Sequence, residues 1–382
     1  MERVPFGTRC LAVKKFLKVL IIILAVLVLI VGGYFIYVFA SYHRIPDREY
    51  LDTGITSSYS SFRDETAVNT EDYYNFLTYN IGFGAYTDDY DFFMDGGKQA
   101  WAKSEEALLA NLCEIADVIN YSGADFVLLQ EVDIDGTRTY HVNELDVLNQ
   151  FLKGFYYTSA VCYDSPFLFW PLYQPHGKNK TVMATYSRNP ITESVRRSFP
   201  IPEDFSKMID LDRCYIVSRV PVANERTLVI YNVHMSAYTG DSGVKDAQLK
   251  MLFDDMKSEY AKGNYVVCGG DFNMNMKDDL TDPNLTWTRP FDRSLLPEGF
   301  SLGLDYATDE AKEHNSCRNP DKAYDPETAY TVTPDAFIVS DNIRVQYYRN
   351  LDCGYKYSDH DPVMLQVFFK SDAEIEAQNA KN

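Results

Sequence analysis

The sequence predicts an α+β protein in which two packed β-sheets are flanked by helices and preceded by one transmembrane helix. Three observations support this prediction: short β-rich runs recur along the chain, two stretches have helical periodicity, and one long apolar segment lies near the N-terminus. The chain has 382 residues, of which 46% are hydrophobic and 24% charged. This composition allows a full-sized buried core and argues against wholesale disorder.

Residues 16–40 are predicted to form an uncleaved transmembrane anchor. Only Lys18 interrupts this apolar stretch, which is longer than the roughly 20 residues that cross a bilayer. A cleaved signal peptide is the alternative, but its apolar region would normally be only about 7–15 residues long. Basic residues are concentrated before the span, so the positive-inside rule predicts a single-pass protein with residues 1–15 in the cytoplasm and residues from about 42 onward outside it.

The remainder of the chain is divided by composition. Residues 41–72 are polar and turn-rich, which predicts a juxtamembrane linker. The folded domain is then expected at 73–370. Residues 371–382, rich in Ala, Glu, Asn and Lys, are expected to form a frayed tail.

The charge of the chain is unevenly distributed. The formal net charge is -19, and residues 1–46 contain six basic residues and one acidic residue, so the remainder carries -24. An acidic surface repels polyanions at long range, which disfavours nucleic acid unless a basic groove or bound cations hold it. The seven cysteines lack the spacing of a structural zinc site, and the six that follow the span could form disulfides outside the cell.

Eight runs have the composition and length of strands, and two stretches have apolar residues at three-to-four-residue spacing, as in amphipathic helices. The predicted strands are 75–79, 126–130, 181–186, 215–220, 227–232, 265–268, 336–339 and 363–368. The predicted helices are 103–121 and 244–261. Strands at this density indicate two packed sheets rather than one parallel sheet with a helix after every strand.

Polar motifs lie at the ends of several of these strands, where catalytic groups are commonly held. A single Glu or His in such a position is more often an ordinary solvated or core residue. The Gly-Gly-Asp-Phe-Asn motif is a stronger signal, because an apolar strand leads directly into an acceptor and an amide donor in one turn. The motifs are Asn80, Gln130-Glu131, Asn232-Val233-His234, Gly270-Asp271-Phe272-Asn273, Asp335 and Ser358-Asp359-His360-Asp361-Pro362.

In this order the motifs resemble those of the endonuclease/exonuclease/phosphatase superfamily, and the resemblance extends from Asn80 to His360. It implies a four-layer α/β-sandwich of two packed mixed β-sheets flanked by helices. It also implies a metal-dependent hydrolase acting on phosphoric ester bonds. The motifs are specific for the superfamily but not for a substrate.

The resemblance also implies roles for individual residues. Glu131 and Asp359 would bind Mg²⁺ or Mn²⁺, with Asn80 as the third member of the metal site; hard cations of this kind prefer oxygen ligands. Asp271 would position or deprotonate the attacking water or protonate the leaving oxygen.

Three further side chains complete the implied site. His360 would pair with Asp335 and act as a general base or as a cationic phosphate clamp. His234 and Asn273 would contact the substrate phosphate as well as serving catalysis.

The sequence therefore predicts a membrane-anchored, divalent-metal-dependent phosphodiesterase or phosphatase. Its expected partners are a phosphate ester, such as a phospholipid, sugar phosphate or nucleic acid, and the lipid bilayer, with no obligate protein partner. The alternatives are an extracytoplasmic nuclease acting on DNA or RNA, and a catalytically inactive binding module on the same fold. Residues 165–180, which include several aromatic side chains, are expected to shape substrate choice.

Overall fold

The computed structural model of the chain describes residues 6–42, 44–56, 67–202, 212–237, 243–277 and 288–380. The chain forms two compact units, Met1–Arg44 and Ile45–Asn382. The first contains helix α1 (Phe6–Ser41), of which Val13–Ser41 is long and apolar enough to cross a membrane. The predicted span at 16–40 therefore lies inside one continuous helix.

The second unit contains sixteen strands in its described residues. In chain order they are β1 (Glu49–Tyr50), β2 (Thr53–Ile55), β3 (Tyr73–Asn80), β4 (Phe126–Gly136), β5 (Tyr156–Asp164), β6 (Asn179–Ser187), β7 (Glu193–Ser198), β8 (Cys214–Pro221), β9 (Thr227–His234), β10 (Tyr265–Asp271), β11 (Phe300–Leu302), β12 (Cys317–Arg318), β13 (Thr331–Val332), β14 (Asp335–Ser340), β15 (Ile343–Asn350) and β16 (Val363–Phe369). All eight predicted strands are among them.

Five α-helices among the described residues of the second unit flank these strands. They are α2 (Glu105–Ser122), α3 (Glu144–Phe151), α4 (Val244–Ala261), α5 (Asp309–Glu313) and α6 (Asp372–Asn379). The two predicted helices correspond to α2 and α4. Helix α2 begins at Ser104, whose side chain accepts a hydrogen bond from the backbone N–H of Ala107, and ends at Gly123 in a left-handed conformation, so ordinary capping rules define both ends.

Fourteen of the strands form two seven-stranded sheets. The first has the order β1-β7-β8-β9-β10-β14-β11 and the second β15-β16-β3-β4-β6-β5-β2. The neighbours β9 and β10 are parallel, as are β3 and β4, and the other pairs within the two sheets are antiparallel, so both sheets are mixed. Each parallel pair brings the carboxyl ends of two strands to the same edge, which is how polar residues distant in sequence become neighbours.

The main core lies between the two sheets. Phe76 of β3 stacks on Phe126 of β4 with ring centroids 4.5 Å apart, and its ring meets the edge of Phe337 from the opposite sheet at 6.3 Å. Burying each such side chain contributes about 1.5–3 kcal/mol. Apolar residues of α4 join this core, and those of α2 and α3 cover the other face of the second sheet. The predicted four-layer sandwich is confirmed.

The predicted linker at 41–72 is wrong for its described residues beyond Arg44. Strand β1 pairs with β7 at the edge of the first sheet, and β2 pairs with β5 at the edge of the second. Val68 is fully buried. These short strands cover sheet edges that would otherwise expose unpaired backbone groups, a role that polar composition does not signal. Residues 43 and 57–66 of the predicted linker lie outside the described part of the chain.

The predicted frayed tail at 371–382 is also partly wrong, because Asp372–Asn379 is helical. Ser371 and Glu374 form a reciprocal capping box at its start. Ile375 packs against the main core, which gives this short helix the tertiary contact that its sequence alone lacks.

Candidate active site

A cluster of polar side chains lies where the carboxyl ends of the parallel strand pairs meet. Asp271 is in register with His234 on one side and with Asp335 on the other, and Asn80 is in register with Gln130 in the second sheet. We call the cluster the polar pocket; it consists of Asn80, Glu131, His234, Asp271, Asn273, Asp335, Asp359 and His360. All eight predicted site residues belong to it.

Asp271 is the central acceptor of the polar pocket. Its Oδ1 accepts a 2.8 Å hydrogen bond from the backbone N–H of Asn273, and its Oδ2 accepts from the amides of Asn80 at 3.1 Å and Asn273 at 3.3 Å. Burial raises the pKa of Asp271, an effect that the nearby His360 opposes and that Asp335 reinforces. The carboxylate is therefore fixed in place, fully buried, and more basic than an exposed aspartate.

The sequence predicts Glu131 at the end of a strand. In the structure it reaches the polar pocket from inside a strand. Strand β4 continues to Gly136, and its pairing with β6 shifts register between Leu129 and Val132. Glu131 occupies this bulge with a φ of 56°, a left-handed conformation that few non-glycine residues adopt. Its carboxylate lies 3.4 Å from the Asn80 amide. The bulge thus directs the Glu131 side chain toward Asn80, which the alternation of a regular strand does not predict.

A buried polar link joins the two sheets beneath the pocket. The Gln130 side-chain amide donates a 2.8 Å hydrogen bond to Oδ1 of Asn232, and Asn232 donates to the carbonyl oxygen of Ala184 at 2.9 Å. Because Gln130 precedes Glu131 and Asn232 lies two residues before His234, this link fixes the relative position of the two sheets at the site. Both residues belong to the sequence motifs, but their part in joining the sheets is visible only in the fold.

His360 and Asp335 form a charged pair at the other side of Asp271. Nδ1 of His360 lies 2.7 Å from Oδ2 of Asp335, and the Ser316 hydroxyl donates to the same oxygen at 2.7 Å. Nε2 of His360 lies 3.9 Å from Oδ2 of Asp271. Burial alone would lower the pKa of His360, but Asp335 and a contact with Cys317 raise it well above its usual value. The pairing with Asp335 therefore favours the protonated form of the imidazole.

His234 has the opposite electrostatic character. Its Nε2 lies 3.5 Å from Oδ2 of Asp271 and 3.6 Å from Oε1 of Glu131. Burial lowers the pKa of His234 well below its usual value, with contributions from the cations Arg213 and His360. The ring is neutral and 2% exposed, and its Nδ1 has no hydrogen-bond partner among the described residues. It can act as a hydrogen-bond donor or acceptor but not as a permanent cation.

Both asparagines have their amide groups committed to the protein. Asn80 accepts from the backbone N–H of Gly82 at 3.1 Å, so its NH₂ group faces Glu131 and Asp271. Asn273 donates to the carbonyl oxygen of Met235 at 2.9 Å and has a φ of 50°. In this arrangement Asn80 orients two carboxylates rather than presenting an oxygen to a cation.

The chemistry of Asp359 and Glu131 fits a divalent cation. Burial raises the pKa of Asp359 to about 7, an effect that His360 and Arg318 oppose and that the neighbouring Glu131 carboxylate reinforces. Two mutually repelling acidic groups, one of them buried, form an oxygen-rich environment that a hard cation would stabilise. The Ser358 hydroxyl donates to the carbonyl oxygen of Asn80 at 2.8 Å and ties the Asp359 loop to the end of β3.

One residue close to the pocket was not anticipated. The ligand atoms of Cys317, Asp359 and His360 lie within 4.8 Å of one another, and Cys317 forms a backbone bridge with His360. Burial raises the pKa of the Cys317 thiol to about 12. No motif surrounds Cys317 in the sequence, so only the folded chain could identify it as a neighbour of the site.

Comparison with known proteins agrees with this geometry. A family model described as "Endonuclease/Exonuclease/phosphatase family" matches residues 77–360. No curated protein sequence matches the chain.

Several solved structures share the fold. An endonuclease/exonuclease/phosphatase from Beutenbergia cavernae aligns with a TM-score of 0.54 and 15% identity, covering 78% of this chain and 72% of that one. A mannosyl-6-phosphatase from Bacteroides thetaiotaomicron aligns with a TM-score of 0.50 and 16% identity, covering 78% and 100%. An endonuclease/exonuclease/phosphatase family protein from Leptotrichia buccalis aligns with a TM-score of 0.50 and 13% identity, and the alignment covers 78% of this chain and 100% of that one.

Proposed function

The chain belongs to the endonuclease/exonuclease/phosphatase family, whose members are metal-dependent phosphoester hydrolases, and we propose that it is a membrane-anchored phosphodiesterase or phosphatase. The observation that carries this proposal is the convergence on Asp271 of Asn80, His234 and the His360–Asp335 pair. These groups provide a buried proton acceptor beside a protonated imidazole. Both assist hydrolysis of a phosphate ester, because the attacking water loses a proton and the phosphate oxygens gain negative charge in the transition state.

In the proposed reaction Asp271 orients the attacking water and accepts its proton, a P–O bond to the water forms as the P–O bond to the leaving group breaks, and the leaving oxygen takes up a proton. Three hydrogen bonds hold the carboxylate, and burial raises its pKa toward the range of a general base. The contact with Asp335 favours the protonated form of His360, which donates a hydrogen bond to a non-bridging phosphate oxygen rather than removing a proton. This assignment favours the cationic clamp over the general base for His360.

The remaining groups act on the phosphate and the metal. The lowered pKa of His234 favours its neutral form, which donates to the phosphate through Nε2, whereas the Asn273 amide donates to Asp271 and to the carbonyl oxygen of Met235 and holds the turn after β10. Glu131 and Asp359 would hold Mg²⁺ or Mn²⁺, with Asn80 orienting Glu131. The bound cation would neutralise charge on the phosphate and polarise its oxygens.

The proposed location is a membrane, with residues 1–15 in the cytoplasm and the catalytic unit outside it. The apolar helix supports the anchor, and the excess of basic residues before it supports the orientation. Protease added to intact cells should digest the catalytic unit and leave an N-terminal epitope tag protected. Protection of the catalytic unit with loss of the tag would reverse the orientation.

A substrate panel tests the proposed activity. The full-length protein in detergent should hydrolyse bis(p-nitrophenyl) phosphate or p-nitrophenyl phosphate with Mg²⁺ or Mn²⁺. DNA, RNA, sphingomyelin and inositol phosphates are compared at equal concentration, and preferential cleavage of DNA or RNA would establish the nuclease alternative instead. Absence of both turnover and calorimetric binding of Mg²⁺ or Mn²⁺ would indicate an inactive binding module.

A further inference from the structure

We propose that the active-site end of the catalytic unit faces the lipid bilayer and that its substrate is the phosphate ester of a membrane lipid. The contact surface is the connection between β5 and β6, residues 165–178, which we call the aromatic loop. This inference rests on the proposed function and assigns a substrate class to it. Three independent features of the chain support it: a short tether, an ordered apolar loop, and the location of both at the end that contains the polar pocket.

The tether between the apolar helix and the catalytic unit is short. Helix α1 ends at Ser41, and Ile45 is the first residue of the second unit, so residues 42–44 alone connect them. A fully extended connection of this length spans at most about 14 Å. The covalent connection therefore limits how far apart Ser41 and Ile45 can be.

The tether attaches at the same end of the first sheet as the polar pocket. Asp47 accepts a 2.9 Å hydrogen bond from the backbone N–H of Ser198, the last residue of β7, and Ser198 pairs with Cys214 at the start of β8. Strand β8 in turn pairs with β9, where Tyr215 is in register with Val233. This register places Cys214 beside His234. Strands are about 4.8 Å apart, so the tether and His234 are separated by roughly 15 Å across the sheet.

The aromatic loop extends from the same end of the second sheet. It begins after Asp164 and ends before Asn179, and Asn179 pairs with Gly136, the last residue of β4. Glu131 lies five positions before Gly136 on that strand. The base of the loop is therefore beyond Glu131 by roughly 15 Å along the strand direction.

The loop presents large apolar side chains to solvent in a defined conformation. The exposed fractions are 60% for Trp170, 70% for Leu172 and 69% for Tyr173. The backbone is nevertheless ordered: Leu168 and Gly177 form a bridge with 2.9 Å hydrogen bonds in both directions. These side chains are thus displayed rather than collapsed onto the domain.

Neighbouring segments hold the loop from outside. The Trp101 indole donates to the carbonyl oxygen of Pro175 at 2.7 Å, and the Tyr173 hydroxyl donates to the carbonyl oxygen of Lys98 at 2.6 Å. Lys98 and Lys178 are exposed beside the apolar residues. This combination of Trp, Tyr and Leu with flanking Lys is typical of protein surfaces that enter the bilayer interface, where the rings lie at headgroup depth and the ammonium groups meet phosphates.

The bilayer is favoured over a protein partner because the same chain contains a helix that is long and apolar enough to cross a membrane. A polar rim and a shaped apolar groove would indicate a protein interface, whereas the exposed side chains here lie on one protruding loop. The loop also contacts the pocket region through ring packing: His176 lies 6.1 Å from Phe92, and Phe92 lies 5.4 Å from Tyr86, measured between ring centroids. A lipid headgroup beneath the loop would thus be close to the pocket.

Reconstituted full-length protein tests the substrate assignment. The vesicles contain phosphatidylcholine, phosphatidylserine, phosphatidylinositol and sphingomyelin, and turnover is measured as released phosphorylated headgroup. The triple variant Trp170→Ser/Leu172→Ser/Tyr173→Ser should lose about tenfold or more of this turnover, while hydrolysis of soluble bis(p-nitrophenyl) phosphate stays within about twofold. Tyr121→Ser is the matched control, because Tyr121 is 87% exposed at the end of α2 and should affect neither reaction.

Two outcomes overturn the proposal: no turnover of any vesicle lipid by protein that cleaves the soluble ester, or equal loss of both activities in the triple variant. If the wild-type protein does not hydrolyse the soluble ester, the proposed function itself is contradicted. A second measurement is independent of activity. Lipids brominated in the acyl chain should quench tryptophan emission in the wild type, and the quenching should largely disappear in Trp170→Phe. Equal quenching in the two proteins would place the loop away from the bilayer.

Discussion

His360 and Asp335 are hydrogen-bonded within the protein interior, with 2.7 Å between Nδ1 and Oδ2. Burial opposes a charge on the imidazole, yet the adjacent carboxylate raises the pKa of His360 well above its usual value. Because the pair is already formed, a phosphate meets a cation that does not need to reorganise. Such preorganisation is a major source of transition-state stabilisation.

Replacing Asp335 with Asn should therefore remove the cation while conserving side-chain volume. We expect kcat for bis(p-nitrophenyl) phosphate to fall by roughly 10²–10⁴. Asp352→Asn is the control, because Asp352 lies 3.8 Å from a different imidazole, His314, and is 71% exposed. Steady-state kinetics give kcat for the two variants. An equal fall in kcat in both would show that the His360–Asp335 pair has no special part in catalysis.

Glu131→Gln should weaken metal binding more than it weakens the fold. The amide keeps the shape of the side chain but removes one of the two acidic groups that repel each other in the pocket. We expect the Mg²⁺ concentration for half-maximal activity, and the dissociation constant by calorimetry, to rise by roughly 10–100-fold. Glu114→Gln on exposed α2 serves as the control. An unchanged dissociation constant in Glu131→Gln would remove Glu131 from the metal site.

Gly270→Ala should destabilise the site-bearing strand. Gly270 has a φ of 145°, and a Cβ atom there would overlap the backbone of Val233 on the neighbouring strand. We expect a loss of roughly 3 kcal/mol or more in the free energy of unfolding. Gly123→Ala is a matched control, since Gly123 also has a positive φ but faces open space. It should cost only about 1 kcal/mol. Similar thermal unfolding midpoints would contradict the crowding argument.

The Glu259–Arg219 ion pair should make stability depend on pH. Burial alone would raise the pKa of Glu259, but two hydrogen bonds from Arg219, together with Lys262 and Asn264, lower it to about 2. Because the pKa of Glu259 is lower in the folded state, the ion pair stabilises the fold at pH values above the ordinary pKa of 4.5. This stabilisation is lost as the pH falls from 4.5 toward 2.

Glu259→Gln should accordingly reduce the free energy of unfolding near neutral pH by about 1–2 kcal/mol, a value reduced for solvent screening at the partly exposed Arg219. The difference from wild type should shrink between pH 4.5 and 2. Glu193→Gln removes a more exposed carboxylate from the same arginine and should cost less than about 0.5 kcal/mol. A pH-independent difference would mean that packing rather than charge is responsible.

The sequence predicts the eight central strands and both long helices because their apolar periodicity is strong. It does not predict β1, β2 or α6, whose polar residues are ordered by sheet edges and a capping box that exist only in the folded unit. The candidate site residues can be selected from the motifs, and their catalytic roles remain predictions. The bulge at Glu131 and the neighbouring Cys317 could not be inferred from the sequence, because both depend on strand register.

The central claim is that Asp271 is the proton acceptor of a metal-dependent phosphoester hydrolase. Its most direct test is the rate of bis(p-nitrophenyl) phosphate hydrolysis by full-length protein with saturating Mg²⁺, compared with the same protein in excess chelator and with Asp271→Asn. We predict a loss of roughly 10³-fold or more in both comparisons. Undiminished turnover in either one would contradict the account.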